Sequence, residues 1–421
     1  MYDIVIVGAG IAGLNMARLL KDKQLNICIL EKTNRIGGLI HTKHTSFDNK
    51  KIKYESGGAV VYNYQKNMLD LIKLYDIKTH SMPVDNKTIV NRHYKDFWDG
   101  KSRLRPMDKR YVNKFFKLII KVFKFMDKKG KAYCRKFTLE QIALKILSLD
   151  DVRFIEFCYG YAAEFRIANS IVARKNINNE LFNTDNILVF NNGYSSLIKS
   201  IYNDIKDNIK LIKNCHVDKF INYKNHINIY TNKGNIQTKK IIFAIPREAL
   251  INMCDSFNAD EIKLFNMVKP FSLNRIFVKY DMKKSKNLWM KKLNFSTVNN
   301  PIRQIIPINK KHGFFQISYS DWYFADYWGN LDKANSLNIL KQLLSQTFHH
   351  ANIDNPTYYK QFYWKDACHF WKSNINEVLN YKKILNIRNN VYIIGESFSL
   401  NQGWAEGAIQ TSIDVFKMLF N

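Results

Sequence analysis

The feature that most restricts this chain is a glycine turn set between a strand and a helix. Residues 2–7 are rich in β-branched side chains and read as a buried parallel strand. Gly8-Ala9-Gly10-Ile11-Ala12-Gly13 follows at once. Leu14, Met16, Ala17, Leu19 and Leu20 then mark an apolar helix face. Residues 25–30 form a second strand, which ends on Glu31. Strand, glycine turn, helix, strand and acid make up a dinucleotide-binding βαβ unit.

Each part has a mechanical reason. Gly8 permits the tight turn, Gly10 lets the backbone approach a pyrophosphate, and Gly13 lets the helix pack close to the strand. Ile11 and Ala12 open the helix, whose free N–H groups and positive dipole end favour phosphate. Glu31, followed by Lys32, stands where a carboxylate accepts ribose hydroxyls. An acid there disfavours a 2′-phosphate, so NADP is not expected.

The chain has 421 residues, enough for two or three domains. Hydrophobic residues make up 46%, which excludes a disordered chain. No run of about 18 apolar residues is present, so no transmembrane helix is expected. The first strand starts at residue 2, which predicts no signal peptide and a cytoplasmic protein. The six cysteines are scattered without a C-x-x-C pair, as in a reducing compartment, and no metal site is expected. The net charge of +29 has two readings. One is attraction to nucleic acid or an anionic surface. The other is a drift toward Lys, Asn and Ile, since the lysines are spread along the chain and no nucleic-acid motif accompanies them. Either way, a polycationic substrate would be repelled at long range. No serine elbow, P-loop lysine or H-E-x-x-H is present.

A second signal follows the second strand. Glu31-x-x-x-Arg35-x-Gly37-Gly38 combines an arginine fork able to reach a pyrophosphate with a glycine pair that lets backbone pass a ligand. A third lies near the C-terminus. Gly395-Glu396 ends a strand, and Gly403-Trp404-Ala405-Glu406-Gly407-Ala408 opens the final helix. Such a helix start aims N–H groups at developing negative charge.

Together these motifs resemble the flavin-containing amine oxidase superfamily, which includes monoamine and polyamine oxidases, protoporphyrinogen oxidase and phytoene desaturase-like enzymes. The resemblance implies FAD, more readily non-covalent than covalent, and an α/β fold. That fold is a Rossmann-like FAD domain with a β-meander, interleaved with an α+β substrate domain. The FAD domain is expected over 1–75, 188–258 and 385–421, and the substrate domain over 76–187 and 259–384. Gly57, Gly58 and Ala59 resemble the segment where backbone passes the flavin. Val217 takes the position that bonds adenine through its backbone, and Trp404 that of an aromatic on the substrate side.

The resemblance also has departures. Arg275 occupies the position of a lysine that works near the flavin through a water. It is expected to hold an anionic substrate, bond the flavin, or sit at the surface. The arginine that anchors substrate carboxylates in L-amino-acid oxidases is missing after Gly58, and Arg166 is a possible substitute. Cys368 lies roughly where some members link flavin covalently, but its spacing from Trp364 is shorter. The expected reaction is hydride transfer from a small molecule, first of all an amine, to flavin, with reoxidation by oxygen or another acceptor. A desaturase-like enzyme and a basic flavin-bearing binding protein without turnover are the alternatives. Residues 109–129 read as an amphipathic helix with a lysine stripe, suited to an anionic membrane surface or to a solvated face over a core.

Overall fold

Tyr2–Val7 (β1), Ile11–Leu20 (α1) and Ile27–Leu30 (β2) form the expected βαβ unit. They belong to a computed structural model that describes every residue except 48, 84–92, 96–103, 107–108, 184–185, 284–289, 291–292, 349–352 and 421. β1 is apolar and lies between two parallel neighbours, β2 and Gly234–Phe243. Ile209–Ile212 adds a parallel strand outside β2. α1 packs on the final helix, Ala405–Phe420, and buried Asn15 Nδ2 donates to Ser412 Oγ at 2.7 Å.

The sequence suggests separate strands near 235–238 and 241–246, but Gly234–Phe243 is one strand. Its first half pairs antiparallel with Ile227–Thr231, and its second half pairs parallel with Val391–Ile393. The chain leaves the meander and enters the parallel layer without a break. Gly234, at φ +101°, turns the hairpin between Ile227–Thr231 and this strand.

A second sheet has seven strands. Val268–Lys279 runs between Tyr358–Trp371 and Phe314–Asp321. On one face, Ile276, Val278 and Ile317 pack with Leu340 and Leu344 of helix Lys333–Thr347. On the other, Phe277 and Phe314 meet Ile52 and Tyr54 of the hairpin Thr42–Phe47 and Lys50–Glu55. The hairpin thereby presses the segment after Glu55 against the second sheet.

Lys109–Lys129 is a helix, and it resolves the two readings of the lysine stripe. Phe115, Ile119, Val122 and Met126 are buried in the core, and the helix packs on Leu149–Tyr159. Lys114, Lys117, Lys121, Lys124 and Lys128 are exposed. The apolar face is spent on the protein itself, so a membrane surface is not what it covers. Among the described residues no helix is long and apolar enough to cross a membrane.

A Cβ at Gly13 would overlap the Gly8 carbonyl oxygen. Both atoms belong to backbone that β1 and α1 hold in place, so the clash cannot be relieved by a rotamer change. Gly13→Ala is expected to destabilise the protein by about 1–3 kcal/mol. Urea melts of the two proteins check this, and an unchanged midpoint would show that α1 does not sit this close to β1.

Candidate functional site

The glycine turn and the second glycine pair meet. Gly37 N–H donates to Ala9 O at 2.8 Å, and Gly10 and Gly37 form a bridge. Ala9 N–H donates to Glu31 Oε2 at 2.9 Å, and the Thr33 N–H and hydroxyl bond Oε1. The acid that ends β2 therefore holds the glycine turn in shape. The start of the meander is tied to the same point. Cys215 N–H donates to Glu31 O at 2.9 Å, which brings Val217 next to the acid. Lys32 is exposed.

Whether these residues fit a dinucleotide can be tested on space and on unmet bonds. Gly10 faces open space, since a Cβ there would meet only Gly38 Cα at 3.9 Å. Around Gly395 a Cβ would meet nothing within 4 Å. Both positions leave room for a ligand to lie against the backbone, Gly10 forming a cradle with the neighbouring Gly38. Beside it, Arg35 Nη1 is buried without a hydrogen-bond partner among the described residues. A guanidinium nitrogen without a partner is costly unless an anion meets it. The guanidinium also lies over the Trp364 ring at 5.6 Å. The cradle, the helix start behind it and the unmet guanidinium fit the pyrophosphate of FAD.

At the far end, Gly395 and Glu396 meet the start of the last helix. Glu396 Oε1 accepts from Gly403 N–H at 2.7 Å and from His369 N–H at 3.0 Å. Its Oε2 faces His369 Nδ1 at 3.0 Å, while His369 Nε2 faces Glu248 Oε2 at 3.0 Å. Gly403, Trp404 and Ala405 keep partial exposure, whereas Ala408 is buried one turn into the helix. Glu406 departs from the expected pattern. Its carboxylate accepts from Asn67 N–H and Met68 N–H, at 3.1 and 2.9 Å, and so caps helix Lys66–Leu74. Its side chain is committed to that cap, which leaves its backbone N–H for a ligand.

The imidazole of His369 is clamped between two carboxylates, with Arg247 bonded to Glu248 behind it. Asp366 and Lys365 are the other charges acting nearby. Burial opposes its charge, but the bonds to Glu248 and Glu396 outweigh burial and raise the group from 6.5 to about 9. A raised histidine gives its full stabilisation below the unfolded value of about 6.5 and loses it as pH rises through about 9. The shift corresponds to about 3 kcal/mol. Stability is therefore expected to fall between neutral pH and about pH 9, and His369→Gln to flatten that fall. Urea melts across this range check it, and an equally steep fall in His369→Gln would contradict it.

Arg275 is buried at the second sheet, on the face toward residues 55–58. Its Nη1 makes long contacts to Glu55 O at 3.3 Å and Gln316 Oε1 at 3.4 Å. Nε has no partner among the described residues. The guanidinium lies over the Tyr319 ring at 4.4 Å. Of the three expectations for Arg275, the surface one is thus excluded. Gly57 is buried, while Gly58 and Ala59 are part-exposed beside it.

A chamber opens between these parts. Tyr161 and Tyr319 meet edge to face at 5.7 Å, and Tyr159 meets Tyr161 at 5.6 Å. Tyr161 and Tyr319 keep part of their surface accessible, and Tyr62 lies within electrostatic reach of Tyr161, which ties these rings to the next group. Trp404 meets Tyr62 edge to face at 4.8 Å, and Tyr62 stacks on Tyr64 at 5.5 Å. Trp404, Tyr64, Gln65 and Asn176 line a cavity of about 230 Å³.

Tyr159 donates to Glu180 Oε2 at 2.8 Å. Glu164 is buried within electrostatic reach of Glu180 and Asp321. Burial first, then those two charges, lift its carboxyl well above the usual range. Asp321 accepts the Ala162 and Ala163 N–H groups and so anchors the short helix that carries Glu164.

The sequence does not single out these acids and tyrosines. The one available signal was Glu180, which falls on the buried face of Ser170–Leu181 with Ala173, Asn176 and Ile177. Arg166, the possible carboxylate anchor, points elsewhere: its Nε bonds Glu156 Oε2 at 2.8 Å, outside the chamber. Cys368 is buried, and burial pushes its thiol well up.

The fold and the cradle define a flavin-binding oxidoreductase class, and comparisons with known proteins agree. A family model described as flavin containing amine oxidoreductase matches residues 11–415. The chain belongs to that family, and its cofactor is FAD. It is 35% identical over 94 residues to a flavin-containing amine oxidase of Danio rerio, covering 22% of this chain and 17% of that one. It is 38% identical over 81 residues to flavin-containing amine oxidase B of Homo sapiens, covering 19% of this chain and 15% of that one. The matched stretch thus spans about a sixth of these relatives. A redesigned double mutant of putrescine oxidase shares the fold, with a TM-score of 0.75 at 12% identity over 100% of this chain and 99% of that one.

Proposed function

We propose that this protein is an FAD-dependent amine oxidase acting on a small cationic amine. One observation carries the reading: the chamber beside residues 55–59 and Trp404 is both aromatic and acidic, with Glu164 and Glu180 buried among tyrosines. Aromatic faces and carboxylates together favour a cation and disfavour an anion. This offsets the long-range repulsion expected from a net charge of +29.

When bound, FAD supplies the two-electron acceptor for a hydride equivalent from the carbon beside the amine, and oxygen or another acceptor then takes the electrons on. The chain's own residues do the rest. Gly8, Gly10, Gly13, Arg35, Gly37 and Gly38 hold the pyrophosphate, and the N–H groups at Ile11 and Ala12 face it. Glu31, Lys32 and the Val217 backbone hold the adenosine half. Gly57, Gly58, Ala59, Gly395, Glu396, Gly403, Ala405, the Glu406 backbone and Ala408 shape the slot for the ring. Trp404 and Tyr62 flank the substrate, and Arg275 faces the ring from the second sheet. The buried Cys368 thiol favours a non-covalent cofactor. Residues 1–75, 188–258 and 385–421 then form the FAD domain, and 76–187 and 259–384 the substrate domain.

An entering ammonium stabilises the ionised form of Glu164, so binding expels a proton there. Peroxide release from the flavin-loaded protein, measured over a panel of monoamines, diamines and amino acids, tests the function. Cationic amines are expected to turn over and amino acids are not. Glu180→Gln should raise KM for the best amine about tenfold through loss of a charge-assisted contact. Turnover of anionic substrates alone, or an unchanged KM in Glu180→Gln, would contradict the reading.

A further inference from the structure

We propose that this chain carries a second ligand site, an oxyanion pocket on the outer side of the chamber wall, which takes a carboxylate or phosphate group. Its cavity measures about 130 Å³ and is lined by Arg153, Arg166, Arg303, Asn299, Tyr323 and Phe324, together with Glu156 and Phe157. None of these residues belongs to the FAD cradle or the aromatic chamber. The site stands on its own geometry, whatever the chamber's substrate proves to be.

Arg303 is the central observation. It is 2% exposed, yet its Nε and Nη2 have no hydrogen-bond partner among the described residues. Burying guanidinium N–H groups without acceptors is costly, and here two such groups belong to a residue in the cavity wall. The guanidinium lies over the Phe324 ring at 4.8 Å, which fixes the plane of its fork.

The backbone repeats the message. Arg303 has φ +59°, a left-handed conformation that a non-glycine residue holds only when its surroundings impose it. Two bonds impose it: Val298 N–H to Arg303 O at 2.7 Å and Arg303 N–H to Asn300 O at 3.0 Å. A strained turn thus places a buried, incompletely bonded cation in the wall of the cavity.

The charge balance points the same way. Glu156 is the only carboxylate lining the pocket, and it already pairs with Arg166 Nε at 2.8 Å. Glu140 lies 3.5 Å from the same Arg166 Nε and Asp321 acts on Arg303, so Arg166 is already neutralised and an anion would be held chiefly by Arg153 and Arg303. Planar forks match the two oxygens of a carboxylate or phosphate. Tyr323 and Phe324 give the wall an apolar side, suited to a ligand with an aromatic or hydrocarbon body.

The pocket also shares elements with the chamber. Helix Leu149–Tyr159 carries Glu156 into the pocket and Tyr159 into the chamber. The short helix Ala163–Arg166 carries Arg166 to one and Glu164 to the other. An anion seated here is therefore positioned to act on the chamber through two rigid elements.

The test uses full-length, flavin-loaded protein. Binding of inorganic phosphate and of benzoate is measured by titration calorimetry at fixed ionic strength, with chloride as the balancing anion. Saturable binding of at least one of them at one site per chain is expected. Phosphate alone would identify a phosphoryl ligand, and benzoate alone a carboxylate with an aromatic body. Arg303→Met should abolish binding, and Arg153→Gln, an exposed position, should weaken it about tenfold without affecting folding. Lys114→Gln on the solvated lysine stripe should leave it unchanged. Absence of saturable binding of both anions would overturn the proposal. So would equal binding in Arg153→Gln, since that marks diffuse attraction to a protein of charge +29.

Discussion

Replacing Arg275 with methionine is expected to slow flavin reduction by an amine about 100-fold while leaving FAD content unchanged. The size is that of one lost, preorganised donor to developing negative charge in a water-poor site. Arg275 meets the conditions for this role. It is buried, its two contacts are long, at 3.3 and 3.4 Å, and Nε has no partner among the described residues. A guanidinium used only as a strut would have short, complete bonds. Its stacking on Tyr319 fixes the plane of the remaining donors. Arg275→Lys keeps the charge but loses the fork, so an intermediate rate is expected. Rapid mixing of amine with each flavin-loaded variant without oxygen gives the rates. Equal rates in wild type and Arg275→Met would remove Arg275 from the reaction.

Arg35→Ala is expected to weaken FAD binding about 10- to 100-fold. Charge-assisted hydrogen bonds of this kind contribute about 1.5–3 kcal/mol. Nη1 is buried without a partner among the described residues, so it has little other work to do in the fold. The substitution also removes the guanidinium's contact with the Trp364 ring. Thermal stability of the apoprotein should therefore change less than cofactor affinity. Fluorescence titration of apoprotein with FAD measures the affinity, and melting curves of the apoprotein provide the control. Unchanged affinity with a collapsed apoprotein would make Arg35 a structural residue.

The parts legible in the sequence are those whose chemistry is local. β1, the glycine turn and α1 lie in one short stretch, where the period of the apolar residues changes from strand to helix. The C-terminal Gly395 and Gly403 segment is legible for the same reason. Strand Tyr358–Trp371 is not, because Lys360, Lys365 and Asp366 interrupt its apolar residues and a bulge opposite Phe271 and Leu273 shifts its register. The chamber is not legible because its walls come from far apart. Tyr62, Tyr161, Glu180, Tyr319 and Trp404 meet only after the second sheet and the helices have packed. Glu406 shows the opposite limit, since its motif position is plain but its carboxylate caps a helix instead.

The most direct test of amine oxidation at this site is the visible spectrum of the flavin-loaded protein under anaerobic conditions, recorded before and after addition of a small diamine. The expected result is loss of the oxidised flavin band on adding the amine, followed by its return with peroxide when air is admitted. A flavin band that dithionite bleaches but no amine does would contradict the proposed function.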